Sequence, residues 1–173
     1  MMSRVHLPRR VLAVSAMVAA LTVGPAMPSA EAQPPGFPDL NAFTEAPANL
    51  DFSRPDRWAN GYAFFRTPDG LSCMIGGVRR CSGPIPGLPV EYGECAVVLQ
   101  THEETSRSAP FRFEKSAEGC LSPADDLLNI GQKLTLTADH TTTCVVGEDR
   151  LTACIDGDGK HGFVLQPSGS WVF

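Results

Sequence analysis

Six cysteines, at positions 73, 81, 95, 120, 144 and 154, constrain this chain more than any other feature. The count is even and no two of them form a Cys-x-x-Cys pair. Nor do the histidines stand at metal-ligand spacing from them. That argues for structural disulfides rather than a metal centre or a reactive thiol. Six cysteines allow about 15 pairings, among which spacing alone does not choose. Hairpin geometry ranks them. Residues facing one another across a hairpin have numbers that sum to a constant. If Cys73 faces Cys81, Ile75 faces Arg79 around Gly76-Gly77-Val78, a common loop length. If Cys144 faces Cys154, Val146 faces Thr152 around Gly147 to Leu151. Facing residues fall within the Cα spacing that a disulfide tolerates. The remainder, Cys95 with Cys120, closes a longer loop. Each bridge is expected to stabilise by roughly 2.5–3.5 kcal/mol through the entropy it removes from the unfolded chain.

Disulfides require an oxidising compartment, and the N-terminus supplies the route to one. Arg4, His6, Arg9 and Arg10 make a basic start, and Val11 to Val23 is a 13-residue apolar run. Pro25 and Pro28 then break any helix, and Ala30-Glu31-Ala32 offers the small residues of a cleavage site. Residues 1–32 are therefore expected to be a secretory signal peptide. An apolar run of that length falls short of the ~20 residues that span a bilayer. Without the label's three arginines and one acid, the net charge of −5 becomes about −7. An acidic, disulfide-bonded chain argues against an electrostatic nucleic-acid binder, a polybasic membrane-surface protein and a cytosolic enzyme. No stable membrane insertion is expected after cleavage.

Residues 33–58 are expected to form a proline-rich extended arm, since Gln33 to Asp56 holds five prolines in 24 residues. Phe37, Leu40, Phe43, Leu50 and Phe52 are too apolar for a free linker, and would be pinned into grooves of the domain. The alternative is a spacer lifting the domain from the envelope. Residues 59–173 then change to short β-prone runs. Tyr62 to Arg66, Leu71 to Ile75, Val78 to Cys81, Ala96 to Gln100 and Phe111 to Glu114 are strand candidates. So are Lys133 to Thr137, Thr141 to Val146, Leu151 to Ile155, Gly162 to Gln166 and Ser170 to Phe173. Ser122, Pro123 and Gly131 bracket one short helical turn over Ala124 to Ile130. Such spacing implies an all-β fold, a small disulfide-stapled sandwich or barrel built from cysteine-bearing hairpins with little helix.

The residues that carry chemistry do not assemble into a recognisable site. There is no Gly-x-Ser-x-Gly elbow, His-Glu-x-x-His helix or glycine-rich phosphate loop. His102 reads as part of an exposed loop, His140 opens the second cysteine hairpin, and His161 follows the turn Asp156 to Lys160. Asp156-Gly157-Asp158-Gly159 resembles half a calcium loop but lacks the ligands spread over twelve residues and the closing glutamate. It is expected to be a solvated turn, as are Glu148-Asp149, Asp125-Asp126 and Glu103-Glu104. Trp58, Tyr62, Phe64, Phe65, Trp171 and Phe173 are expected in the core. No catalytic residue, metal ligand or cofactor is assigned.

Two further features bear on origin. The cysteine hairpins at Thr67 to Cys81 and Asp139 to Cys154 look alike, which suggests a pseudo-symmetric or duplicated fold, with convergence as the alternative. The order of motifs also resembles a known family. Phe37-Pro38-Asp39-Leu40 follows the label, and Phe65-Arg66-Thr67-Pro68-Asp69-Gly70-Leu71-Ser72-Cys73 opens the domain. Cys81-Ser82-Gly83, Thr143-Cys144-Val145-Val146, Cys154-Ile155-Asp156 and Gly162-Phe163-Val164-Leu165 to Trp171 follow. This resembles a family of small exported proteins of mycobacteria and related actinobacteria. The resemblance implies export and a cysteine-paired β domain, and carries no catalytic residues; Ala96 to Asp125 lies outside it. The resulting expectation is a secreted, monomeric, non-catalytic binding or interaction module of the cell envelope or the extracellular space. Its partner would be an envelope glycan or a protein. The alternative is a secreted hydrolase or enzyme accessory.

Overall fold

A computed structural model describes residues 33–47, 61–100, 109–124, 126–137 and 140–173. Residues 1–32, with the expected signal peptide, lie outside it, as do Leu50, Phe52, Trp58, His102, Glu103, Glu104 and Asp125.

Among the described residues the short β-prone runs become eleven strands: β1 (Thr44–Glu45), β2 (Tyr62–Arg66), β3 (Ser72–Gly76), β4 (Arg80–Gly83), β5 (Ala96–Gln100), β6 (Phe111–Lys115), β7 (Gln132–Thr137), β8 (Thr141–Val146), β9 (Thr152–Asp156), β10 (Gly162–Leu165) and β11 (Trp171–Val172). The helical content among the described residues is two single 3-10 turns, Leu40–Ala42 and Val90–Tyr92. The strands form two sheets. One runs β2-β3-β4-β5-β6, and the other β1-β7-β8-β9-β10-β11. Apart from the parallel β1–β7 pair, each is an antiparallel meander in sequence order. The fold is an all-β sandwich. Short turns join β2 to β3, β3 to β4 and every consecutive pair from β7 to β11, and they leave the antiparallel neighbour as the nearest available partner; β4 and β5 pair across the longer connection 84–95.

The cysteines mark the same place in both sheets. Reading across the first, Phe65, Cys73, Cys81, Val98 and Phe113 are successive ladder partners. Across the second, Leu134, Cys144, Cys154, Phe163 and Val172 are the equivalent row. In each case the disulfide joins the second and third strands of a five-strand meander. Both rows point into one shared core, which also takes Leu71, Ile75, Phe111, Leu128, Val146 and Leu165. There the Phe111 and Phe163 rings meet edge to face at 5.2 Å between centroids. The bridges Cys73–Cys81 and Cys144–Cys154 have Cα atoms 4.1 Å apart, and Cys95–Cys120 5.4 Å.

Side chains alternate along a strand, so the second sheet carries another apolar set on its outer face: Val145, Ala153, Ile155 and Val164. The segment before β1 covers it. Phe37, Leu40 and Phe43 pack there with Trp171 and Phe173, and the Phe37 ring stands edge-on to Phe173 at 5.9 Å. β1 then seals the edge by pairing with β7, and Lys133 Nζ donates to the Leu40 carbonyl at 3.3 Å.

Two expectations are corrected. Among the described residues of the expected turn 124–130, no helix forms over 126–130. The Arg66 N–H donates to the Asp126 carbonyl at 2.9 Å, and the Leu128 N–H to the Arg66 carbonyl at 3.0 Å. The segment is held extended against the β2 edge, in a parallel bridge of Arg66 with Leu127. Tertiary partners supply the hydrogen bonds that a helix would have made internally. The aromatics also divide. Phe65 is fully buried, whereas Tyr62 and Phe64 are half-buried on the outer face of the first sheet, and Trp171 and Phe173 are half-buried on that of the second.

Candidate functional site

Two places bring chemically capable side chains together. The first is at the end of the sandwich where the β3–β4 turn of one sheet meets the β9–β10 turn of the other. Arg79 precedes Cys81 by two residues and Asp156 follows Cys154 by two. Both side chains therefore share the inward direction of the cysteines. Arg79 is 3% exposed and Asp156 7%. Arg79 Nε stands 3.2 Å from Asp156 Oδ1, and Thr142 Oγ1 donates to that same oxygen at 3.3 Å. Arg79 Nη2 donates to Gln100 Oε1, whose own amide nitrogen donates to the Ala109 carbonyl at 2.7 Å. Asp156 is thus no solvated turn residue: the network bridges the two sheets.

Its electrostatics are a contest. Burial pushes the Asp156 carboxyl above its ordinary range, because a carboxylate loses its water there. Arg79 and the Thr142 hydroxyl pull the other way without fully compensating. Arg79 is itself incompletely satisfied, with Nη1 lacking a hydrogen-bond partner among the described residues. His161 lies nearby, its Nδ1 3.8 Å from Asp158 Oδ2, too long for a hydrogen bond. The Asp156 carboxylate is committed to a guanidinium and a hydroxyl. Its evident task is joining the sheets.

The second place is the opposite end, where the β8–β9 turn meets the turn before β3. Thr67 and Asp69 shape that turn: the Thr67 hydroxyl donates to Asp69 Oδ1 and accepts from the Leu71 N–H at 3.2 Å. Across from it, Asp149 and Arg150 take positive φ values of 54° and 60°. That left-handed pair of residues makes the tight hairpin end and sends the Arg150 side chain back over the first sheet. Its Nη2 donates to the Pro84 carbonyl at 3.0 Å, and its Nε lies 3.8 Å from Asp69 Oδ2. Pro68, Asp69, Ile130, Gly147 and Arg150 enclose an open depression of about 180 Å³. Ile130 is 47% exposed, and the Arg150 side chain 48%.

The two ends follow one plan. In each, an arginine in the β-turn of a cysteine hairpin reaches an aspartate on the facing sheet. Sequence reading assigned none of these four residues. For Arg79 and Asp156 the signal was present, since both have the parity of a buried cysteine. For Arg150 and Asp69 it was not, because their approach depends on how the sheets face each other.

His140 lies just before β8 and is half-buried. Among the described residues no three His, Cys, Asp or Glu side chains converge as a metal site, and no helix is long and apolar enough to cross a membrane. Comparison with protein-family models, curated proteins and solved structures finds nothing that matches this chain.

Proposed function

We propose that this protein is a secreted, non-catalytic binding module that acts in the cell envelope or outside the cell. The depression between the two turns carries the reading. It is shallow, and its walls set an exposed apolar side chain, Ile130, beside a half-exposed guanidinium, Arg150. Both belong to backbone held by a disulfide-bonded meander or its edge, so contact with a partner orders little that is not already ordered. Three disulfides support an oxidising compartment, and the resemblance of the motif order to that of small exported proteins supports export. The partner classes that this surface suits are an envelope glycan and an envelope or host protein.

The test is retention. Immobilised mature protein is exposed to solubilised envelope, and the same is done with Ile130→Asp and Arg150→Glu. Specific material should be retained by the wild type and lost from both variants at unchanged thermal stability. If nothing is retained, or the variants retain it equally, the reading fails. The hydrolase alternative has one observation in its favour, two acids (Asp156 and Asp158) near His161. It requires release of soluble fragments from purified envelope glycan or protein that disappears in His161→Ala.

A further inference from the structure

The connection from β6 to β7 crosses between the sheets by an indirect route. β6 is one edge of the first sheet, and Arg66, to which Asp126 and Leu128 bond, is on β2 at the other edge. The chain between them therefore runs over the full width of that sheet's outer face. What lies beneath it shows the path. Ser72, Ser82 and Val97 point away from the core, since they alternate with Cys73, Cys81 and Val98. Yet they are 6%, 0% and 5% exposed. The Leu121 N–H donates to Ser82 Oγ at 2.8 Å, and Ala124 is buried in the same strap.

Cys95–Cys120 ties the start of this strap to the loop before β5. It differs from the other two bridges in three respects. Cys73–Cys81 and Cys144–Cys154 join ladder partners, so neighbouring strand hydrogen bonds hold those cysteines together in any case. Their four residues are at most 1% exposed, while Cys120 is exposed and Cys95 half-buried. Finally, they occupy equivalent places in the two meanders, and Cys95–Cys120 has no counterpart in the second. It is an addition to the repeated plan rather than part of it.

We propose that Cys95–Cys120 is a reducible latch, opened by a dithiol, that releases the strap 117–124 from the outer face of the first sheet. The thiolate of the dithiol attacks the accessible Cys120 sulfur, and Cys95 departs as a thiolate and takes up a proton. The second thiol of the dithiol then attacks its own sulfur in the mixed disulfide, so that Cys120 leaves as a thiol. Two electrons pass to the protein, and the dithiol becomes a disulfide. Once cut, the strap keeps its anchor at Arg66 but loses the covalent one, and Ser72, Ser82 and Val97 are uncovered. The two core disulfides maintain the sandwich throughout. The inference stands apart from the binding reading, since it concerns a different face and needs no partner surface.

Dithiothreitol titration of the mature protein tests it, with alkylation of the freed thiols and peptide mass mapping at each step. Cys95 and Cys120 should be labelled at least about tenfold faster than the other four cysteines. Amide exchange at Leu121 and its strap neighbours should rise at least about tenfold at that stage, while β3, β4, β8 and β9 keep their protection. The Cys95→Ser/Cys120→Ser double variant should show the same raised exchange with no reductant present. Simultaneous labelling of all six cysteines would overturn the latch. So would unchanged Leu121 protection after selective reduction, or a double variant that fails to fold.

Discussion

Arg79 and Asp156 show how much a residue's meaning depends on which way its side chain points. Each sits in a turn-rich, polar stretch, yet each is an even number of residues from a buried cysteine and so enters the core. A buried ion pair is costly to half-remove, because the surviving charge is left in a medium of low polarisability. Arg79→Ala should lose about 3–5 kcal/mol in a urea melt at neutral pH. The pH dependence carries a separate sign. Burial raises the folded-state pKa of Asp156 above its ordinary 3.8, so the folded protein binds this proton more tightly than the unfolded chain does. Its contribution to stability accordingly falls as pH rises from 3.8 through the raised folded value. Asp156→Asn cannot titrate, so the stability of the wild type relative to that variant should increase on acidification across that window. Urea midpoints for both proteins across a pH series check it; an advantage that shrinks on acidification would mean that Arg79 outweighs burial.

At the scale of the strand and hairpin, the cysteine rows carry the argument. The facing-residue rule read from the sequence puts Cys73 opposite Cys81 and Val146 opposite Thr152, and the ladders have both as partners. This was legible because hairpin pairing is local: a tight turn leaves little choice of register. The segment 124–130 was not legible, because its proline and glycine signals suit a helical turn and only the β2 edge draws it out. The matching rows make a quantitative expectation. Cys73→Ala/Cys81→Ala and Cys144→Ala/Cys154→Ala remove loops of 8 and 10 residues' separation from equivalent positions. Each should therefore cost about 2.5–3 kcal/mol from loop entropy. Denaturant titration of the two double variants should give nearly equal losses. A large loss in one and none in the other would mean that the two meanders are not equivalent.

For the whole molecule, the segment before β1 decides whether the second sheet is a two-sided or a one-sided layer. Val145, Ala153, Ile155 and Val164 make its outer face as apolar as its inner one, and Phe37, Leu40 and Phe43 cover it. Phe37→Ala should cost about 3 kcal/mol, the lower end of the range for a large aromatic, since a peripheral segment relaxes more readily than a core strand. A urea midpoint shift with an unchanged slope is the expected result, and a loss under about 1 kcal/mol would show that the cover contributes little. The loops of the two sheets meet as closely elsewhere. Gly87, at φ +67°, leaves room for the Gln166 carbonyl, which a Cβ there would approach to 2.3 Å. The all-β class, the approximate strands and the facing of the hairpin cysteines were legible in the residues alone. All of these follow from alternation and turn chemistry over a few residues. Packing of the whole molecule settled that the two meanders face each other across one core. It alone brought Arg79 to Asp156 and Arg150 to Asp69, and laid the strap at 117–124 across a sheet. Those contacts join residues 77 and 81 positions apart or span a whole sheet, and nothing in a local pattern specifies how two sheets are packed.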